Sequence, residues 1–170
     1  MAKRSKTEAR LQAELRASFK HFFPKDYWYK IPDTPKMKGS NLRFIPRKPF
    51  DIVCSVSKIF FAIETKVHKK TTAFPLNEVH EHQEVGLDEA DGFVWLNIRR
   101  GLGKARVNFI VVIAISEWMA LKAKILKSGR KSIPLAFFEK YDKIKWKDGK
   151  WQIEDFFNEQ VKKIYKEHAK

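Results

Sequence analysis

The sequence predicts an α/β fold built on a mixed β-sheet flanked by helices. Three observations carry the prediction. Residues 49–66 hold two runs crowded with β-branched and aromatic side chains, interrupted at Ser55, Ser57 and Lys58, which is the pattern of a β-hairpin. Apolar stripes at about 100° per residue precede and follow that hairpin, so helices alternate with strands along the chain. Residues 105–114 become continuously apolar towards their end, as a strand covered on both faces does.

The first element is a helix over 5–23, with Leu11, Leu15, Phe19 and Phe22 on one stripe. Glu8 falls on the same stripe. A carboxylate aimed at the core needs a partner, either a metal at the sheet edge or, in a Ser5-x-x-Glu8 capping box, the Ser5 amide. Pro24 ends the helix, 27–31 reads as a strand, and Pro32 and Pro35 punctuate the segment after it. Residues 36–48 form a short basic loop carrying Lys36, Lys38, Arg43, Arg47 and Lys48, and it leads directly to Asp51, so we read it as a phosphate contact.

After the hairpin, Lys69 and Lys70 make a second basic patch. A helix over 76–90 has the stripe Leu76, Val79, Gln83, Gly86, Leu87 and Ala90, which turns Gln83 inward, where a buried amide demands partners. His80 and His82, two apart on that helix, point in different directions and do not make a zinc pair. Strands follow over 92–99 and 105–114 around a Gly101/Gly103 turn, then a helix over 116–127 with Trp118, Leu121, Ile125 and Leu126 as its buried side and Gly129 past its end. Residues 133–138 form an apolar connector, Asp148-Gly149 turns a hairpin between Trp146 and Trp151, and an amphipathic helix spans 154–167.

At 170 residues the chain suits one domain over 1–170 with its own core. Lys and Arg number 35 against 20 Asp and Glu, a formal net charge of +15, while 44% of residues are apolar, so the chain is globular and its partner is expected to be a polyanion. A membrane is not the expected partner, because the basic residues are spread throughout and no apolar run reaches the about 18 residues of a span. The single Cys54 excludes an internal disulfide or a thiolate zinc cluster, and no secretory signal opens the chain, so a cytoplasmic protein is expected.

Chemistry concentrates in the hairpin. Alternation sends Glu64 and Lys66 to one face of a strand and Ile63 and Thr65 to the other. In a regular hairpin with an even-numbered loop Asp51 shares the Glu64 face, a relation that a bulge would break. Opposed strand residues start from Cβ atoms about 5 Å apart, near enough for two carboxylates to converge on one Mg²⁺. Lys66 then stands beside the cation, placed to orient or deprotonate a water and to neutralise charge on a phosphate. Asp, then Glu-x-Lys, on adjacent strands resembles the active site of the PD-(D/E)XK nuclease superfamily. Asp148-Gly149-Lys150 fits the same triplet but sits in a turn.

A longer set of motifs, in order, strengthens that likeness: Tyr29-Lys30-Ile31-Pro32-Asp33-Thr34-Pro35, Pro49-Phe50-Asp51, Glu64-Thr65-Lys66, Phe74-Pro75-Leu76 and His80-Glu81-His82-Gln83. Together they resemble the RecU family of Holliday junction resolvases and, more distantly, the archaeal Hjc resolvases. The resemblance implies a restriction-endonuclease-like fold and a homodimeric endonuclease, dependent on Mg²⁺ or Mn²⁺, that cuts opposed strands of a four-way DNA junction. It implies that Asp51 and Glu64 bind metal with the main-chain carbonyl of Thr65, that Lys66 assists the attacking water, and that Glu8 and Gln83 complete the site. Residues 36–48 are short beside the stalk of the RecU proteins, and the hairpin turn lacks that family's usual glycine. The rival readings are another nuclease of the superfamily, acting on flaps, nicks or linear duplex, and a non-catalytic basic DNA-binding module.

Overall fold

The computed structural model describes residues 2–33, 47–70, 72–102 and 105–169, with side chains described except at 2–6, 100–102 and 105–107. Lys36, Lys38 and Arg43 of the basic loop lie outside the described residues. The architecture is mixed α/β. A seven-stranded sheet has the order β1 (Tyr27–Lys30), β2 (Ile52–Val56), β3 (Ile59–His68), β5 (Phe93–Leu102), β6 (Ala105–Ala114), β8 (Lys143–Lys147) and β9 (Lys150–Trp151). A second, two-stranded sheet pairs β4 (Phe74–Pro75) with β7 (Ser132–Ile133). Every neighbour in the large sheet is antiparallel except β3 and β5, which run parallel. The chain crosses between those two through α2 (Glu81–Glu89), since parallel neighbours need a long connection.

Helices cover both faces of the sheet. On one, α1 (Ala2–Phe22) and α4 (Glu154–His168) bury Leu11, Leu15, Phe19, Phe156 and Phe157 against Ile52, Ile63, Trp95 and Ile110. On the other, α2 and α3 (Ile115–Lys127) bury Leu87, Trp118, Leu121 and Ile125 against Ala62, Val94, Leu96 and Val111. The central strands are therefore apolar on both sides, and the polar residues buried within them stand out. No helix among the described residues is long and apolar enough to cross a membrane.

Several expectations are corrected here. The helix placed over 76–90 is broken: a single 3-10 turn, Leu76–Glu78, is followed by extended backbone at Val79 and His80 before α2 begins. His80 is thus a cap outside the helix, helical spacing does not separate it from His82, and the two rings stack 5.6 Å apart. Ala90, at the end of the expected stripe, is exposed. Ser5 lies inside α1, which starts at Ala2, so the Ser5-x-x-Glu8 capping box is not the helix start. Leu126 is 52% exposed rather than on the buried side of α3. The apolar connector at 133–138 contributes Ile133 to β7 and a 3-10 turn, Leu135–Phe138.

Candidate active site

The site forms where β2 stops and β3 continues. β2 and β3 pair from the turn as far as Ile52 and Ile63, after which β3 runs on to His68 with β5 alone beside it. The turn is the two-residue Ser57–Lys58, with φ of 52° and 69°. Two positive φ values give the turn whose twist matches a hairpin, here without a glycine. The Tyr165 hydroxyl of α4 donates to the Ser57 carbonyl at 3.2 Å.

At the far end the regular ladder fails. Asp51 donates its N–H to the Ile63 carbonyl (3.2 Å), although Ile63 is already the register partner of Ile52. Two residues of one strand against one of the other is a β-bulge, which re-aims a side chain. The expected sharing of a regular face by Asp51 and Glu64 is corrected accordingly. The Asp51 carboxylate is turned onto Thr65, and its Oδ2 accepts from the Thr65 amide (3.0 Å) and hydroxyl (2.6 Å). Gln12 of α1 donates from Nε2 to Thr65 Oγ1 (2.9 Å), so a buried chain of hydrogen bonds links the first helix to Asp51.

Alternation along β3 does send Glu64 and Lys66 the other way, towards α2. Lys66 Nζ lies 2.7 Å from Glu64 Oε1. Gln83 donates from Nε2 to the same oxygen at 2.6 Å, while its own Oε1 accepts the His80 amide at the start of α2 (3.0 Å). That second bond fixes which end of the Gln83 amide faces Glu64. α2 comes this close because Gly86 sits on Pro49, where a Cβ would stand 3.0 Å from the Pro49 Cα and closer still to its Cβ.

Glu64 is 1% exposed, and its second oxygen, Oε2, is buried with no hydrogen-bond partner among the described residues. Burial, and then the nearby charge of Asp51, push its carboxyl up to about 7, against the pull of Lys66 and Lys48. Burial alone would lower the Lys48 ammonium, but Asp51 and Asp33 outweigh it and hold it above the ordinary range. Lys48 Nζ lies 2.6 Å from an oxygen of each. Its hydrogen bond in turn keeps the Asp33 carboxyl below its usual value. Burial lowers the His82 imidazole, with His80, Arg47 and Lys66 adding to the effect. Burial also raises the Cys54 thiol, which makes it a poor nucleophile.

The structure therefore brings Asp51, Glu64, Thr65, Lys66 and Gln83 together. Glu8 is half-buried one turn before Gln12, on the helix that packs against the Thr65 face, so it starts from the opposite side of the sheet to Glu64. Of the expected basic contacts, Arg47, Lys69 and Lys70 are exposed, whereas Lys48 is turned in upon Asp51. Lys69 and Lys70 line a groove of about 350 Å³ with Thr7, Val67, His68, Pro75 and Glu78. Sequence reasoning missed Gln12, although it lies on the α1 stripe beside Leu11 and Leu15, and it missed the clamp of Asp33 and Asp51 on Lys48. No protein-family model matches the chain, and no curated protein matches it.

Proposed function

We propose that this protein is a divalent-cation-dependent DNA endonuclease of the PD-(D/E)XK type, with a restriction-endonuclease-like fold, acting as a homodimer on four-way junctions in the cytoplasm. The observation that carries the reading is Glu64. One oxygen of a fully buried carboxylate is fixed by Lys66 and Gln83, the other is buried without a partner among the described residues, and a second carboxylate stands near enough to raise its pKa. A buried anion left half-satisfied is costly unless something positive completes it.

The donor set suits Mg²⁺ or Mn²⁺. Among the described residues no three His, Cys, Asp or Glu side chains gather, and hard cations of this kind bind through one or two carboxylates and keep several waters. Asp51 and Glu64 would hold the ion, with the Thr65 carbonyl as the further ligand that the family resemblance implies, whereas Glu8, which the resemblance also implies, starts from the other side of the sheet. When bound, such an ion polarises the scissile phosphate and lowers the pKa of a water. Glu64 Oε1 anchors Lys66, so the ammonium is held beside the carboxylate pair, where it can orient a water and neutralise charge on the phosphate. Gln83, tied to the start of α2, keeps Glu64 in one rotamer. Thr65 and Gln12 do the same for Asp51. Burial of Gln12, Thr65, Lys66 and Gln83 around the two carboxylates excludes bulk water and strengthens each of these interactions.

The net charge of +15 supports a DNA partner, and two-fold symmetry suits a junction that needs two nicks. The deciding experiment compares an immobile four-way junction with a linear duplex of the same arms, with Mg²⁺ or EDTA, for wild type and Asp51→Asn. Paired nicks on opposed junction strands, dependent on Mg²⁺ and lost in the variant, are expected. Equal cutting of the duplex would make the protein a general nuclease of the superfamily, and binding without cleavage in any condition would sink the nuclease reading.

A further inference from the structure

The ammonium of Lys48 occupies an unusual place for a residue expected to touch DNA. It lies 2.6 Å from Asp51 Oδ1 and 2.6 Å from Asp33 Oδ1. The other oxygen of Asp51, Oδ2, is committed to the amide and hydroxyl of Thr65. Oδ1 is therefore the oxygen that Asp51 has left to offer, and a lysine holds it. The two carboxylates on Lys48 differ in setting: the Asp51 side chain is 7% exposed and the Asp33 side chain 76%.

We propose that Lys48 is a resident cation that holds the divalent-cation position on Asp51 in the unloaded protein, and that its ammonium retires to Asp33 when the position is taken. This deepens the nuclease reading and rests on it. The physical case is one of competition. An ammonium and a divalent ion need the same lone pairs of Oδ1, and two cations crowded on one carboxylate oxygen in a partly desolvated site repel each other strongly. Leaving Asp51 Oδ1 empty would set its charge beside Glu64 with the Lys66 ammonium, itself bound to Glu64 Oε1, left to offset both carboxylates, so the unloaded fold needs a second positive group there. A four-carbon stem with free rotors lets Lys48 supply that group and then leave without moving the backbone. Asp33 gives the departing ammonium a partner in water-exposed surroundings, which lowers the cost of exchange. Lys48 is on this account a positioning residue: it holds the Asp51 carboxylate in its rotamer until loading.

The exchange makes predictions of opposite sign for its two partners. Calorimetric titration with MgCl₂ or MnCl₂ alone, without DNA, is the probe. Lys48→Met removes the competitor and is expected to tighten cation binding by about fivefold. Asp33→Asn leaves the ammonium no second place and is expected to weaken binding by about two- to threefold. Unchanged or weaker binding by Lys48→Met, in a protein whose far-ultraviolet circular dichroism matches wild type, overturns the proposal, because the lysine then ignores or assists the ion. If Lys48→Met does not fold, Asp33→Asn decides alone, and unchanged or tighter binding there overturns it. A wild type that binds neither ion removes the nuclease reading and this proposal together. Insensitivity of both variants in a protein that binds the ion and cuts DNA removes the exchange and spares the nuclease.

Discussion

Glu64 of β3 and Glu84 of α2 are both buried carboxylates with a lysine at ion-pair distance, but their hydrogen-bonding is closed to different degrees. Glu84 Oε1 accepts from the Trp118 indole (2.8 Å) and from Lys122 (2.7 Å), and Oε2 accepts from Lys122 (2.6 Å). Both oxygens are used, and the pair ties α2 to α3. Glu64 loads two donors onto Oε1 and leaves Oε2 buried without one among the described residues. A closed pair is a structural joint, whereas an open carboxylate beside another acid has acceptor capacity to spare, which is what the proposed cation site draws on.

Neutralising each site separates these roles. Glu64→Gln should reduce metal-dependent cleavage on the order of 1,000-fold, about 4 kcal/mol of transition-state stabilisation. The same change should alter the stability of the metal-free protein by no more than about 1 kcal/mol, because it removes a half-satisfied buried charge but also the charged partner of Lys66. At the closed pair the pattern should invert. Lys122→Met strands Glu84 on the indole alone and should cost about 2–3 kcal/mol in urea unfolding, while cation affinity of the folded protein stays within about twofold. A Glu64→Gln protein that loses stability as Lys122→Met does would make Glu64 a second structural joint.

The sequence shows one of these glutamates and conceals the other, for physical reasons. Glu64, Lys66 and Gln83 are legible because strand alternation and a helical stripe fix their directions whatever the surroundings. Asp51 is legible as a residue but not as a geometry: its contact with Thr65 comes from a bulge, and no local pattern marks where a ladder slips by one residue. Lys48 reads as a phosphate contact in the sequence because its capture by Asp33 depends on where two segments 15 residues apart meet. Glu84 looks like one more charge on a helix, since its partners Trp118 and Lys122 belong to a different helix. Two-residue strands such as β4 and β7 have no period to detect, and so a second sheet reads as connecting chain.

Acidity marks out Glu64 as well. Glu64 is pushed up to about 7 from an ordinary value of 4.5. Its folded form thus holds a proton more tightly than its unfolded form. The stability this contributes is fully present below about 4.5 and is lost as pH rises through about 7, amounting to at most about 3 kcal/mol. Urea unfolding of the metal-free protein between pH 5 and 8 should show that decline, and Glu64→Gln should remove it. Cation binding needs the charged form, so Mg²⁺ affinity should weaken as pH falls below about 7. A decline that persists unaltered in Glu64→Gln would assign it to another group.

The smallest effect tests the helix that serves both glutamates. Gly86 lies three residues beyond Gln83 and two beyond Glu84, and its missing side chain lets α2 rest on Pro49. Alanine is the better helix former by about 1 kcal/mol, so propensity alone predicts a gain. Sterics should win, because a Cβ at Gly86 would meet the Pro49 ring and backbone rather than the tip of a flexible side chain. We expect Gly86→Ala to cost a net of about 1–2 kcal/mol and to push α2 outward by a few tenths of an ångström. Such a shift should fall unequally on the two carboxylates. The lysine that closes Glu84 has four rotatable bonds and can follow it, whereas Gln83 reaches Glu64 with a short side chain whose other end is fixed to the His80 amide. Cleavage should therefore drop about tenfold, a loss out of proportion to the change in stability. If activity per folded molecule is unchanged in Gly86→Ala, the Gln83 bond to Glu64 is not part of what makes the open site work.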